Sequence, residues 1–195
     1  MEKLKQKLRL LHDAVFYAEE HWNIWMTLEK CAVAQNDSYE EYLNFLEPSR
    51  RAHFVSMLMA VCSVFDLQAG LGKHGEKTGK EYYGAFIDEI ERDSTVNKST
   101  VRKIKTILKR NRELINKART LRDKNFAHAE LKIEDALKEA GLTKKECATL
   151  IRIAKTLINE ISRACGDGSF EQKFNGGETL MRLLGDQKTN LKKTG

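Results

Sequence analysis

The chain has 195 residues, a length that fits a single domain, because chains divide into several hydrophobic cores only when they are considerably longer. Hydrophobic residues make up 41% and charged residues 32%, which excludes a disordered chain, and no apolar run reaches the roughly 18 residues that a membrane span needs. The net charge of +6 is compatible with a polyanionic partner, and its distribution along the chain matters more than its sum.

Helix breakers are scarce in this sequence. It contains one proline, Pro48, and 12 glycines, so we expect most of the length to be helical. The first residues lack the basic and apolar segments of an export signal, and the four cysteines form no CxxC or Cys/His ligand pair. We therefore predict a soluble, cytoplasmic, all-α protein with reduced cysteines, no zinc site and no cofactor.

Apolar residues recur at helical spacing near the N-terminus and predict a first helix over about 3–34. Its apolar stripe consists of Leu4, Leu8, Leu11, Val15, Ala18, Trp22 and Trp25. A capping-box spacing between Ser38 and Glu41 then predicts a short helix from about Tyr39. We expect a break near Glu47, because Pro48 cannot continue the helix internally. A second long helix, apolar nearly all round, is predicted over about 49–71.

The second half of the chain repeats these signals. Capping spacings predict helices over about 78–92 and 143–164, and a short helix over about 133–140 is closed by Gly141. Between them, one helix from about residue 100 carries the stripe Val101, Ile104, Leu108, Asn111, Ile115, Ala118 and Arg122.

Together these elements predict an antiparallel helical bundle of four long helices with extra short helices, in one domain spanning residues 1–195. We expect its core at about 3–165, followed by a C-terminal extension over 166–195 with a frayed tail.

The basic residues are concentrated in one segment. Residues 98–124 contain eleven lysines and arginines against two acids, a net charge of +9, so that the rest of the chain is net −3. One strongly positive helix is the pattern that binds a phosphate backbone by releasing counterions. The alternative is a solvated helix face that acidic neighbours balance.

Arg122 and His128 lie at the end of this segment, in the stretch RDKNFAH. A histidine titrates near neutral pH and can move protons, while an arginine holds phosphate with a planar fork. The two residue types together are a minimal set for phosphodiester cleavage. About one such pair is expected by chance, but this pair stands beside the strongest basic segment and where the apolar stripe ends.

The RDKNFAH stretch, with a long helix before it and a short and a capped helix after it, resembles the Arg-x(4 to 6)-His signature of the HEPN superfamily. The likeness is closest to the AbiU-like abortive-infection branch. The resemblance implies a metal-independent endoribonuclease with a composite site at a symmetric dimer interface, in which 2′-hydroxyl attack leaves 2′,3′-cyclic phosphate and 5′-hydroxyl ends. It makes Arg122 the phosphate ligand, His128 the acid or base, and Asp123 the residue that orients one of them.

Other residues are expected to support this site. The resemblance also implies a supporting acid on an earlier helix, and Asp66, in a buried stretch, is the candidate. A buried carboxylate needs a partner, and we expect that partner to be Arg122. The expected partners of the protein are RNA, a second copy of the chain, and an antitoxin or phage-derived trigger. Candidate RNA contacts are Lys109, Arg112, Lys117, Arg119, Lys124 and Asn125.

Two other functions remain open at this point. One is a catalytically inactive HEPN-like bundle that binds RNA, a nucleotide or a partner protein. The other is a scaffold or sensor bundle whose basic helix is incidental.

Overall fold

The computed structural model describes residues 2–33, 43–66, 90, 92, 97–127 and 132–166. These residues form helices and short connections, with no strand among them, and they confirm the all-α helical fold. The helices are α1 (Glu2–Val33), α2 (Leu43–Asp66), α3 (Lys98–Arg110), α4 (Arg112–Ala127), α5 (Ile133–Ala140) and α6 (Lys144–Ala164).

The stripe predicted on α1 faces the core. Leu8, Leu11, Val15, Ala18 and Trp25 are fully buried. They belong to one hydrophobic core to which all six helices contribute, together with Ile90. Burial of apolar area contributes about 25 cal/mol per Å², so this shared core is the main stabilising contribution.

Polar contacts give the direction of the helices around α1. His12, near the start of α1, contacts Ser162 near the end of α6, and the carboxylate of Glu29, near the end of α1, contacts Lys144 at the start of α6. Between α1 and α2, Glu29 bonds Arg50, while the earlier residue His21 contacts the later residue His53. Helix α1 is thus antiparallel to both α2 and α6.

The predicted break at Pro48 is wrong, because α2 runs through it from Leu43 to Asp66. Pro48 is near the start of the helix, so its ring removes only the backbone bond to the Asn44 carbonyl, one turn from the helix terminus. Leu46 before the proline and Phe54 after it are both buried, and this packing offsets the lost bond. The positions predicted to begin the short helix and to end α2 lie outside the described residues.

The long helix predicted from residue 100 is interrupted at Asn111. Its side-chain amide Nδ2 donates to the Ile107 carbonyl at 2.7 Å, and its backbone N–H donates to the same oxygen at 3.2 Å. Asparagine is poor inside helices because its side chain competes for backbone groups in this way. The apolar stripe nevertheless continues across the break, since Leu108 and Ile115 on either side of Asn111 are both buried.

The C-terminal helices match the prediction closely. Gly141 closes α5 with a φ of +62°, a left-handed conformation that glycine adopts without strain. Thr143 and Glu146 form the predicted capping box of α6, each side chain bonding to the other residue's backbone N–H. The helix predicted over 78–92 lies outside the described residues apart from helical positions Ile90 and Arg92.

The chain passing from α3 into α4 runs opposite to α6. Lys103 approaches Glu160 near the end of α6 at 4.0 Å, and Lys117 approaches Glu146 near its start at 3.9 Å. Within the described ranges, no helix combines the length and apolarity needed to cross a membrane. The C-terminal extension beyond Gly166 lies outside them, so the predicted division of residues 1–195 stays a prediction.

Candidate active site

Arg122 lies inside helix α4, five residues before the helix ends at Ala127. The preceding residue, Leu121, is fully buried and completes the apolar stripe, so Arg122 emerges at the edge of the core with 22% of its side chain exposed. Residues 122 to 127 of the motif are therefore helical. His128 lies outside the described residues.

The expected pairing of Arg122 with Asp66 is confirmed. Arg122 Nη1 donates a hydrogen bond to Asp66 Oδ2, which brings the end of α2 against α4. Arg122 Nε donates to Asp123 Oδ1 at 2.9 Å, and Nη2 lies 2.9 Å from the same oxygen. Two carboxylates from different parts of the chain thus hold one guanidinium, and charge-assisted bonds of this kind fix its orientation.

Arg119 shares the same carboxylate. Its Nε donates to Asp66 Oδ1 at 2.8 Å, and its Nη2 donates to the Phe65 carbonyl at 3.0 Å, near the C-terminal end of α2. From its sequence position Arg119 was expected to contact RNA, and its bond to Asp66 was not predicted. The spacing could have predicted this bond. Arg119 and Arg122 are three residues apart, so they face the same side of a helix and can reach the same carboxylate.

The surroundings of Arg122 keep it charged. Burial opposes the charged form, but the hydrogen bond and charge of Asp66, with the hydrogen bond to Asp123, outweigh it and raise the pKa of Arg122. A guanidinium has five N–H donors. Toward the described residues Arg122 donates hydrogen bonds through Nε and Nη1, and its Nη2 lies within ion-pair distance of Asp123.

The charges of this cluster cancel. Arg119, Arg122, Asp66 and Asp123 carry two positive and two negative charges. The four side chains together therefore add no net positive charge that would attract a polyanion.

Cys62 lies one helical turn before Asp66 and is fully buried. Burial raises the pKa of its thiol to about 12, although the neighbouring arginines act in the opposite direction. The thiol is protonated near neutral pH, and a protonated thiol is a poor nucleophile. Cys62 is thus part of the packing beneath the arginine pair.

The comparison with known families agrees with the motif. The family model for AbiU2, a HEPN family, matches residues 1–177. This chain belongs to the AbiU2 family of HEPN proteins. No curated protein and no solved structure matches it.

In this HEPN chain the residues predicted from the sequence fall into three groups. Arg119, Arg122, Asp123 and Asp66 come together in the cluster described above. Lys109 and Arg112 are exposed at the junction of α3 and α4, whereas Lys117 approaches Glu113 and Glu146 instead of joining the cluster. The side chains of Lys124 and Asn125 lie outside the described residues, as does His128.

The described residues of the HEPN chain contain no group of three His, Cys, Asp or Glu side chains placed to hold a metal ion. The roles of Arg122, His128 and Asp123 in catalysis stay predictions.

Proposed function

We propose that this chain is a metal-independent endoribonuclease of HEPN type, acting in phage defence or as a toxin in the cytoplasm. The observation that carries the proposal is the guanidinium of Arg122, held between Asp66 and Asp123 in the helix that leads to His128. Membership of the AbiU2 family of HEPN proteins supports it. This arginine and histidine resemble the Arg-x(4 to 6)-His signature of the HEPN superfamily.

In the proposed reaction, Arg122 binds the phosphate that is to be cleaved through N–H groups of its guanidinium. The ribose 2′-oxygen attacks phosphorus after its proton passes to a base, and the bond from phosphorus to the 5′-oxygen breaks. A proton from an acid completes the 5′-hydroxyl, and the other product is a 2′,3′-cyclic phosphate. His128 is the proposed acid or base, because imidazole exchanges protons near neutral pH.

Asp66 and Arg119 act as positioning residues in this proposal. Asp66 bonds both arginines at once, so it restricts rotation of the Arg122 side chain. A guanidinium that is already oriented loses less entropy when the phosphate binds, and it meets the charge developing on the phosphate oxygens.

The proposal is tested by incubating purified protein with total RNA in the presence of EDTA and identifying the ends of the fragments. We expect cleavage that leaves 5′-hydroxyl ends and falls at least about 100-fold in both His128→Ala and Arg122→Ala, the range typical of a lost acid, base or oxyanion ligand. The matched control is Arg152→Ala, an exposed arginine on α6, which should cleave like the wild type.

Absence of cleavage at any protein concentration, with salt-sensitive RNA retention intact, would favour the catalytically inactive binding protein. The ion pairs of Arg122 with Asp66 and Asp123 are also compatible with an inactive binding protein, because the pair with Asp66 links α4 to α2.

We further propose that the protein works as a homodimer restrained by an antitoxin or released by a phage-derived trigger. Large apolar side chains exposed on α1 and α2, at Leu10, Tyr17, Phe45 and Met59, offer surface that a second copy would cover. Light scattering of the purified protein tests the dimer. Cellular toxicity that is the same with and without infection and with every neighbouring gene would contradict the proposed restraint.

A further inference from the structure

Helix α3 and the first residue of α4 form an uninterrupted basic surface. Residues 98–112 contain seven lysines and arginines and no acidic residue. Five of the seven follow each other at alternating spacings of four and three residues, which places them along one side of a helix. We call these five the α3 stripe: Lys98, Arg102, Lys105, Lys109 and Arg112.

The fold holds the α3 stripe in solvent. Val101, Ile104 and Leu108 are buried against the core, and all five stripe residues are exposed. Lys103 lies on the opposite flank and approaches Glu160 of α6 at 4.0 Å. The 14 steps from Lys98 to Arg112 correspond to about 21 Å of helix, at 1.5 Å per residue.

Four of the five residues of the α3 stripe have no acidic partner among the described residues. Lys98, Arg102, Lys109 and Arg112 form no ion pair with any residue in the described ranges. Like charges three or four residues apart on a helix repel each other, so the arrangement weakens the isolated helix. A polyanion lying along the stripe would remove this repulsion.

The contrast with the Arg122 cluster shows where a polyanion is attracted. The four described charges of that cluster cancel, whereas the α3 stripe carries five positive charges. The stripe also lacks aromatic side chains, and residues 98–112 contain none at all. Without a stacking platform, long cationic side chains contact phosphates and not bases.

We propose that the α3 stripe binds the phosphate backbone of RNA, without regard to sequence, and holds the strand that the Arg122 site cleaves. The identity of the polyanion as RNA rests on the proposed function. Arg112 begins α4, ten residues before Arg122, so the stripe and the cleavage site are about 15 Å apart along one helix.

The test measures binding separately from cleavage. The probe is a fluorescein-labelled 20-nucleotide RNA with 2′-O-methyl riboses, which lacks the attacking hydroxyl, and its Kd is measured by anisotropy between 50 and 200 mM salt. The variant Lys98→Gln/Arg102→Gln/Lys109→Gln/Arg112→Gln is compared with the wild type. Each lost phosphate contact lowers the slope of log affinity against log salt by about 0.7, so we expect a loss of about 3 in slope and at least tenfold in affinity.

The matched control removes the same charge elsewhere. Lys132→Gln/Lys138→Gln/Lys145→Gln/Arg152→Gln replaces four exposed cations on or next to α5 and α6. We expect its slope to stay within about 1 of the wild type. Circular dichroism checks that both variants are folded, and the pairs Lys98→Gln/Arg102→Gln and Lys109→Gln/Arg112→Gln should each give about half of the effect.

Equal losses of RNA affinity and salt slope in the stripe variant and the control would overturn the proposal, because net charge alone would then explain binding. The proposal would also be overturned, in favour of an acidic protein partner, if the wild type does not bind the RNA probe but binds polyglutamate through the stripe. Oligo(U) and oligo(A) probes should bind within about threefold of each other, and a larger preference would contradict backbone contact.

Failure of the stripe and failure of the ribonuclease are distinguishable. Stripe-dependent binding by a wild type that never cleaves RNA would refute the nuclease and leave the stripe intact. Unchanged binding and cleavage in the stripe variant would refute the stripe alone.

Discussion

At the scale of single residues, Asp66 joins the two arginines of the candidate site. It accepts a hydrogen bond from Arg119 on one oxygen and from Arg122 on the other, with 28% of its side chain exposed. Asp66 can orient Arg122 only if its own carboxylate is fixed. Charge-assisted hydrogen bonds from two guanidinium groups, one to each oxygen, fix that carboxylate.

We expect Asp66→Asn to lower the cleavage rate about 10- to 100-fold while changing the Kd for RNA less than threefold. Asparagine has one acceptor oxygen, so it cannot hold both arginines in the same geometry. Single-turnover cleavage and anisotropy on the same preparations separate the two quantities.

The control for this variant is Asp13→Asn, which removes an exposed carboxylate on α1. Equal cleavage by Asp66→Asn and the wild type would show that the carboxylate has no positioning role.

At the scale of helices, α1 and α2 meet through two histidines. The Nδ1 atoms of His21 and His53 lie 2.8 Å apart, so one must be unprotonated to accept the other's hydrogen. Burial lowers the pKa of both side chains, partly offset by Glu20 at His21 and reinforced by His21 at His53. Both histidines are partly buried.

The lowered pKa values give the pair a defined pH dependence. The unfolded state, whose histidines titrate near pH 6.5, binds more protons than the folded state just below that pH, so stability falls as the pH falls through this range. We expect the melting temperature to drop between pH 7.5 and 5.5, and to drop less in His21→Gln/His53→Gln.

Thermal unfolding by circular dichroism at several pH values measures this. Protonation of carboxylates changes the melting temperature of the wild type and of the double variant equally, so it cancels when the two proteins are compared. A double variant with the same pH dependence as the wild type would show that the histidine contact does not contribute.

At the scale of the whole molecule, one buried carboxylate connects three helices. Glu29 of α1 has 7% of its side chain exposed and bonds Arg50 of α2 and Lys144 of α6. Arg50 also approaches Glu134 of α5 at 3.3 Å, and Lys144 lies 5.2 Å over the ring of Trp25. A buried charge needs such partners, because desolvation without them costs several kcal/mol.

We expect Glu29→Gln to lower the free energy of unfolding by about 1 to 3 kcal/mol, since two cations lose their shared partner but remain partly exposed. Urea denaturation measures the change. Asp13→Asn, which changes an exposed acid on α1, is the control and should change stability by less than about 0.5 kcal/mol.

A double-mutant cycle with Lys144→Gln then isolates the pair. A coupling energy near zero would mean that Glu29 stabilises the fold through Arg50 alone.

The sequence by itself determined the helical class, the capping of α5 and α6, and the stripes of α1, α3 and α4. Each of these depends on residues no more than four positions apart, such as Thr143 with Glu146, so their geometry follows from the helix itself. The motif around Arg122 and its acidic partner Asp66 were also readable, because a carboxylate in an apolar stretch requires a cation.

Only the tertiary structure decided that α2 continues through Pro48, that Arg119 shares Asp66, and that Glu29 joins three helices. These outcomes depend on which helix faces pack against each other across the core. This packing outweighs the tendency of proline to break a helix and of arginine to lie in solvent. A pattern along one helix specifies which side is buried, whereas the neighbour that covers it is selected by the packing of the whole bundle.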